Sequence, residues 1–344
     1  MADSADCTSS HCSGVFLTYD PSFAGNIVFL VLFALLIPLT LTLGFKYRSI
    51  AFGTTVATGL ALETVGYVGR VLLHNTLTDR SAFIIFMVGT VLGPAFICGG
   101  VFLTMPRIIA VYGEEFRSWR PAWYTFLFHA LTIVPIVLEL AGALVSTIHD
   151  GRQSVDTGVR LLLVGFVIQL VALAIFIGHA MLFAIAVRTR HHALDVKYAG
   201  IYNSVSFKGF LLAFFLATLL LVLRTAFRTV VVAEGYDNSI AQSETLLLVL
   251  DGLMVLLATL MLLVFFPSRI LGDSWTEISA TPQRHPRAPL QPIQPAPYEL
   301  PSAHNSPTYN RMSIKSATTQ YSPRKSHHQP PVSQRDMVNS DNLW

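Results

Sequence analysis

The sequence predicts an all-α fold, a bundle of seven transmembrane helices, from three observations. Of the 344 residues, 53% are hydrophobic and only 12% are charged, whereas soluble domains carry about 25% charged residues. The apolar residues form seven blocks, each reaching the roughly 20 residues that cross about 30 Å of hydrocarbon. They fill whole helical turns and do not show the alternation of apolar and polar residues that is typical of membrane strands, which favours helices. The blocks cover residues 23–45, 50–73, 82–110, 122–148, 158–187, 208–232 and 245–267.

The seven spans follow one another with short connections. The segment before the first span carries no Lys or Arg and no apolar stretch, so we expect that span to be its own insertion signal. Pro94 and Pro135 lie inside the third and fourth spans, where proline kinks a helix or frees backbone groups. Pro94 marks either a broken helix at a pathway or an ordinary packed kink. Only the connections near 107–121 and 188–207 have room for structure of their own.

The chain divides into a short N-terminal segment (1–22), a membrane domain (23–267) and a C-terminal tail (268–344). The tail is rich in Pro, Ser, Gln, His and Asn without apolar periodicity, which predicts disorder. Cys7 and Cys12 lie in the segment predicted to be extracellular. Oxidising conditions there permit a disulfide between them.

The distribution of Lys and Arg predicts an external N-terminus and a cytoplasmic C-terminus. The connections assigned to the outside carry only Arg80 and Arg152, while those assigned to the cytoplasm are basic. The formal net charge of +3 therefore follows from membrane topology and indicates no nucleic-acid partner. The basic residues assigned to the cytoplasm are Lys46, Arg48, Arg107, Arg117, Arg120, Arg188, Arg190, Lys197 and Lys208.

Among the ionisable side chains inside the predicted spans, six stand out. A charge at the centre of a membrane helix costs roughly 2.5–3.5 kcal/mol on insertion scales, so such residues usually face a partner or a water-filled path. They are the candidates for a substrate pathway. The six are Glu63, Arg70, Glu139, Arg224, Arg228 and Asp251.

The predicted topology places these six residues in two layers of the outer half. At 1.5 Å per residue, the lower layer lies roughly 9–15 Å below the outer ends of the spans. Two interpretations remain open. One is a static ion-pair network that holds helices together, for example Arg224 with Asp251; the other is a site, open to the outside, for a polar headgroup. Glu244, at the outer end, extends the acidic lining. The lower layer contains Glu63, Glu139, Arg224 and Asp251, and the upper layer contains Arg70 and Arg228.

The remaining polar residues indicate little chemistry. Gln169 is expected to form hydrogen bonds between helices. His129 and His179 lack the spacing of a metal site. The chain contains no Gly-rich phosphate-binding loop of the P-loop type. We therefore expect no metal, no cofactor and no catalytic residues, and the chain is not predicted to be an enzyme.

Residues of the second, third, fifth, sixth and seventh spans resemble, in order and spacing, the motifs of the fungal RTA-like lipid-translocating exporter family. That family is associated with resistance to aminocholesterol and to sphingoid long-chain bases. The resemblance covers about residues 15–267. It rests on Glu63, Gly66, Tyr67, Arg70, Pro94, Ala95, Phe96, Arg107, Gly158, Gly165, Gln169, Phe176, Arg224, Arg228, Gly235, Glu244 and Asp251.

Four positions depart from the family pattern. Thr132 stands where the family has Asp, and Glu139 where it has Gln. Val231 replaces a Glu, and Phe102 replaces a Tyr. The polar lining of this chain is therefore rearranged, and Glu139 is the residue that most distinguishes it.

The resemblance implies a protein of the fungal plasma membrane that moves amphipathic lipids, such as sphingoid bases or sterol-like toxic compounds, and gives resistance to them. Its expected partners are membrane lipids or amphipathic small molecules. The alternative is a seven-helix lipid sensor or receptor without transport activity. Against a receptor, no Asp-Arg-Tyr follows the third span and no Asn-Pro-x-x-Tyr ends the seventh.

Overall fold

Every regular element among the described residues of the computed structural model is helical. The described residues are 21–76, 78–113, 121–148, 152–190, 194, 196–235, 240–272 and 274–275. Cys7, Cys12 and the tail beyond residue 275 lie outside them, so the predicted disulfide and the predicted disorder of those residues stay predictions. The predicted orientation in the membrane also stays a prediction.

The prediction of seven membrane-spanning helices is confirmed, and the chain is a multi-pass membrane protein. The first five spans are each one helix, and α7 forms the sixth. The seventh contains α8, a π-helical segment (Leu247–Leu253) and α9. The helices are α1 (Phe23–Lys46), α2 (Ile50–Asn75), α3 (Arg80–Tyr112), α4 (Pro121–Ile148), α5 (Arg152–Thr189), α6 (Ala199–Tyr202), α7 (Val205–Glu234), α8 (Glu244–Leu246), α9 (Met254–Val264) and α10 (Pro267–Leu271).

The helices extend past the apolar blocks that predicted them, and α3 and α5 are the longest. The 33 residues of α3 and the 38 residues of α5 correspond to roughly 50 and 57 Å at 1.5 Å per residue. Both lengths exceed the about 30 Å of hydrocarbon in a bilayer. The apolar blocks therefore mark where each chain segment crosses lipid, while the helices continue into polar sequence at their ends.

Short polar side chains define several helix starts. The carboxylate of Asp79 accepts hydrogen bonds from the backbone N–H groups of Ser81 and Ala82. The hydroxyl of Ser204 accepts one from the backbone N–H of Phe207. Each bond satisfies a donor at the first turn that has no partner within the helix.

The spans pack in sequence order, and α3 lies at the centre. Adjacent pairs from α1–α2 to α4–α5 are in contact, and α7 contacts α5 and α9. In the most apolar 18-residue stretch of each helix, 78% of the residues are buried in α3 and 22% in α1. Most exposed side chains of α1, such as Leu35, are apolar and suit contact with lipid. A functional site inside the bundle is therefore expected around α3.

Glycines allow α2 and α3 to approach each other closely. A Cβ atom at Gly89 would overlap the backbone of Gly66, and one at Gly59 would lie 2.6 Å from the carbonyl oxygen of Gly93. Such contacts between small residues are common where membrane helices pack backbone to backbone. The close approach places the polar side chains of α2 directly against α3.

The folded part extends past the predicted boundary at residue 267. The hydroxyl of Ser268 donates to that of Ser49 at 2.8 Å, and both side chains are buried. Trp275 is 1% exposed, and the guanidinium carbon of Arg107 lies 3.9 Å from the centre of its ring. Apolar side chains after Pro267, including Leu271, therefore pack on the predicted cytoplasmic end of the bundle.

Candidate functional site

Three of the six candidate residues meet in one buried ion-pair cluster. Asp251 accepts a hydrogen bond from Nε of Arg224 at 2.7 Å and one from Nε of Arg228 at 3.0 Å. Nη2 of Arg228 donates to the second carboxylate oxygen at 2.5 Å. All three side chains are at most 2% exposed. One carboxylate thus faces two guanidinium groups inside the membrane.

Thr90 of α3 is the fourth member of this cluster. Nη2 of Arg224 donates to its backbone carbonyl, and Nη2 of Arg228 donates to its hydroxyl at 3.0 Å. The hydroxyl of Thr90 in turn donates to the carbonyl of Phe86, one turn earlier in α3. The sequence pattern does not single out Thr90, because a threonine in an apolar helix usually bonds only to its own backbone, whereas the Thr90 hydroxyl also accepts a hydrogen bond from Arg228.

The π-helical segment determines the position of Asp251. It spans Leu247–Leu253, and within it a π turn accommodates one residue more than an α turn. The neighbouring Gly252 lies against the side chain of Tyr67, whose hydroxyl oxygen would overlap a Cβ atom at that position. Tyr67 therefore packs directly beside the carboxylate-bearing segment, a contact that the sequence analysis did not predict.

Glu63 lies on α2, next to this cluster. Its side chain packs against Gly93 of α3, where a Cβ atom would lie 2.7 Å from its Cγ. Glu63 is 1% exposed and interacts electrostatically with Asp251 and with both arginines of the cluster. Its Oε1 has no hydrogen-bond partner within the described part of the chain.

Glu139 lies on the α4 side of the cluster. Its Cγ packs against Gly165 of α5, and Arg224 is its charged neighbour. The residue is fully buried, and neither carboxylate oxygen has a hydrogen-bond partner among the described residues. One turn along α5 from Gly165, Nε2 of Gln169 donates to the sulfur of Cys98 at 3.4 Å. Gln169 thus links α5 to α3, as the sequence predicts.

Arg70 belongs to a different group of residues at the predicted outer end. Its Nε donates to Oδ1 of Asn26 at 2.7 Å, and its Nη2 lies 3.6 Å from Oε1 of Glu244. The same Glu244 oxygen accepts a hydrogen bond from the backbone N–H of Ser22 at 2.6 Å. These contacts tie together the predicted outer ends of α1, α2 and α8. Asn26 was not among the residues predicted from sequence, although an Asn within an apolar span is itself a signal.

The two predicted layers are therefore only partly distinct in the structure. Arg228 pairs with Asp251, which the sequence analysis placed in the layer below it. Arg70 and Arg228 do share one neighbour, because their guanidinium carbons lie 5.1 and 5.8 Å from the centre of the Phe86 ring. The ion pair between Arg224 and Asp251 that the static interpretation names is present at 2.7 Å.

Pro94 does not interrupt α3. The helix runs from Arg80 to Tyr112 through Pro94 and Pro106, and Pro94 is buried. The structure therefore does not have a helix broken at Pro94. No group of three or more His, Cys, Asp or Glu side chains that could hold a metal ion occurs among the residues the structure describes.

The site combines charges that neutralise one another with carboxylate oxygens that have no hydrogen-bond partner among the described residues. Asp251 with its two arginines forms many hydrogen bonds and has the character of a structural core. Glu63 and Glu139 flank it, and Oε1 of Glu63 and both carboxylate oxygens of Glu139 are buried and accept no hydrogen bond from the described residues. Buried carboxylates of this kind are able to receive a proton or a cationic group.

Comparison with known proteins places the chain among fungal membrane proteins. A family model described as "RTA1 like protein" matches residues 56–274. The sphingoid long-chain base transporter RSB1 of Saccharomyces cerevisiae is 27% identical, over 76% of this chain and 76% of the relative. Protein RTM1 of the same organism is 25% identical, over 70% of this chain and 76% of the relative. Protein RTA1 is 26% identical, over 61% and 63% respectively. No solved structure matches.

Proposed function

The chain belongs to the RTA1-like protein family, and we propose that it transports amphipathic lipids, with sphingoid long-chain bases as the leading substrate class. The proposal includes resistance to toxic lipids of this kind and location in the fungal plasma membrane. The chain does this without an enzymatic reaction. The observation that carries the proposal is its similarity, over three quarters of its length, to a relative named as a sphingoid base transporter.

The chemistry of the buried candidates is compatible with such a substrate. A sphingoid base has an ammonium group and hydroxyl groups at one end and a long hydrocarbon chain. Glu63 and Glu139 supply buried carboxylates inside a bundle whose outer surface is apolar. Carboxylates favour a cationic headgroup, because opposite charges attract strongly where water is excluded. We propose that Glu63, Glu139 and Asp251 face the headgroup pathway, with Arg70, Arg224 and Arg228 as countercharges.

The comparisons favour transport over the alternative of a seven-helix sensor. A relative that is 27% identical to this chain carries the word transporter in its name. A sensor would respond to the lipid without moving it. The two functions are therefore separated by measuring lipid movement directly.

The test is an efflux assay in a Saccharomyces cerevisiae strain that lacks RSB1. Cells expressing this chain are loaded with a labelled sphingoid base, and the label released into the medium is followed against empty-vector cells. We expect faster release and growth at base concentrations that stop the control strain. A chain that reaches the cell surface yet gives no added release refutes transport of this substrate.

Variants of the same assay test the role of Glu63. Glu63→Gln keeps the size of the side chain and removes its charge, so we expect loss of resistance at unchanged surface expression. Asp156→Asn, at an exposed position of α5, is the matched control and keeps full resistance. Full resistance in Glu63→Gln would exclude Glu63 from the pathway.

A further inference from the structure

Beside the ion-pair cluster, three buried side chains from three helices carry polar atoms that have no hydrogen-bond partner in the part of the chain that the structure describes. Four buried atoms form no hydrogen bond within the described residues. They are both carboxylate oxygens of Glu139, Oε1 of Gln169 and Nη1 of Arg224. The three residues are at most 2% exposed. Buried polar atoms are nearly always paired, so four such atoms in one region call for an explanation.

These atoms belong to neighbouring side chains around α5. Glu139 of α4 packs its Cγ against Gly165, and Gln169 follows Gly165 by one helical turn. The guanidinium of Arg224 lies 5.8 Å from the ring centre of Phe166, the residue next to Gly165. Arg224 and Glu139 also interact electrostatically, although no hydrogen bond joins them in this structure. The α4, α5 and α7 side chains therefore border one small region.

The unpartnered atoms have a composition that specifies a ligand. Three of them are acceptors, two on a carboxylate and one on an amide, and one is a donor on a guanidinium. The complementary ligand has a positive charge with several N–H donors for the carboxylate. It also has a hydroxyl, which both donates to the amide oxygen and accepts from the guanidinium. A phosphate headgroup is disfavoured by Glu139, and a neutral alcohol leaves the carboxylate uncompensated.

We propose that Glu139, Gln169 and Arg224 form a headgroup site for a long-chain amino alcohol. Glu139 pairs with the ammonium, Oε1 of Gln169 accepts from the neighbouring hydroxyl, and Nη1 of Arg224 donates to the oxygen of that hydroxyl. Arg224 keeps its Nε bond to Asp251, so the ion-pair cluster serves as the rigid wall of the site. This inference rests on the proposed function, because it assigns residues to the recognition of the same substrate class.

Residues next to this site in the sequence are exposed on the surface of the bundle. Leu140, next to Glu139 on α4, is 37% exposed, and Val167 on α5 is 43% exposed. In this bundle such apolar surface suits contact with lipid chains. The hydrocarbon chain of a lipid whose headgroup binds here therefore stays in the bilayer, away from water.

The test uses the purified full-length chain in detergent and measures its melting temperature with added lipid. The probes are sphingosine, which has the ammonium, and N-acetylsphingosine, in which that group is a neutral amide. A ligand that binds only the folded state raises the melting temperature. We expect sphingosine to raise it and N-acetylsphingosine to have little effect. Equal shifts with both lipids, or no shift with either, overturn the proposal.

Substitutions locate the effect. Glu139→Gln should weaken sphingosine binding roughly tenfold to hundredfold, as expected for loss of a charge-assisted bond. Without lipid this variant should melt no lower than wild type, because the substitution removes a buried carboxylate that accepts no hydrogen bond from the described residues. Gln169→Met is the second variant and should lose a smaller part of the lipid shift. Asp156→Asn is the control with an unchanged shift.

The outcomes separate this inference from the proposed function. If wild type exports sphingosine and the lipid still raises the melting temperature of Glu139→Gln as much as that of wild type, the headgroup site is refuted and transport is not. A lipid shift that depends on Glu139, in a chain that gives no efflux, refutes transport and leaves the binding site standing. A drop in the melting temperature of Glu139→Gln without lipid would show a structural role and overturn the proposal.

Discussion

Asp251→Asn should destabilise this protein more than any other single removal of a charge in the bundle. The carboxylate of Asp251 accepts three hydrogen bonds and is the charge that faces both Arg224 and Arg228. The amide has nearly the same shape but no charge, and its nitrogen would point a donor at one of the guanidinium donors. Two buried cations would then share no anion in direct contact.

The size of the effect depends on the burial of the cluster. Removing one partner of a buried ion pair costs about 3–5 kcal/mol, since the remaining charge stays desolvated. The membrane domain (23–267) falls in the size range of about 150–250 residues, for which 1 kcal/mol changes the melting temperature by roughly 2–4 °C. The expected drop is therefore roughly 6–20 °C. The assay is thermal denaturation of the detergent-purified protein, followed by loss of the monomeric peak in size-exclusion chromatography.

Two comparisons make this prediction specific. Asp156→Asn removes an exposed carboxylate of α5 and should leave the melting temperature unchanged. Adding Arg228→Met to Asp251→Asn removes the cation that made two of the three lost bonds, and it should recover part of the drop. If Asp251→Asn melts within about 2 °C of wild type, the ion-pair cluster does not stabilise the bundle and the reasoning is wrong.

Two further predictions concern packing around α2, and both are checked with the same melting assay. Gly89→Ala should lower the melting temperature, because its Cβ would overlap the backbone of Gly66. Gly178→Ala is the control and should not lower it, because no atom lies within 4 Å of a Cβ at that position. Equal effects of the two substitutions would refute the explanation by close packing. Gly252→Ala should also destabilise, because its Cβ would overlap the Tyr67 hydroxyl, which accepts and donates no hydrogen bond among the described residues. Tyr67→Phe should therefore be close to neutral alone and should rescue Gly252→Ala; failure of that rescue would place the clash elsewhere.

Several features of the site were accessible from sequence because a charge inside a membrane helix is costly and therefore conspicuous. Glu63, Arg224, Arg228 and Asp251 were identified in this way, and the structure brings them to neighbouring positions around α3. The pair of Arg224 with Asp251 was also foreseen as one interpretation. The apolar sequence around these residues was enough to predict that they are buried.

Other features depended on contacts that sequence spacing does not encode. Thr90 and Asn26 hold the arginines of the two groups, but their partners lie 138 and 44 residues away along the chain. The π-helical segment adds one residue to a turn before α9, which rotates α9 by about 100° relative to a regular helix. A helical period extrapolated from sequence therefore assigns the side chains of the seventh span to the wrong neighbours.

The sequence by itself determined the class of protein, the number of its spans and the family to which it belongs. Hydrophobic length is a local property, and a bilayer requires each span to satisfy its own backbone hydrogen bonds. Only the tertiary structure decided that Asp251 is shared by two arginines while Glu139 has no hydrogen-bonding partner among the described residues. That outcome depends on the rotation and depth of helices that are distant in sequence, which close glycine contacts and one π turn set together.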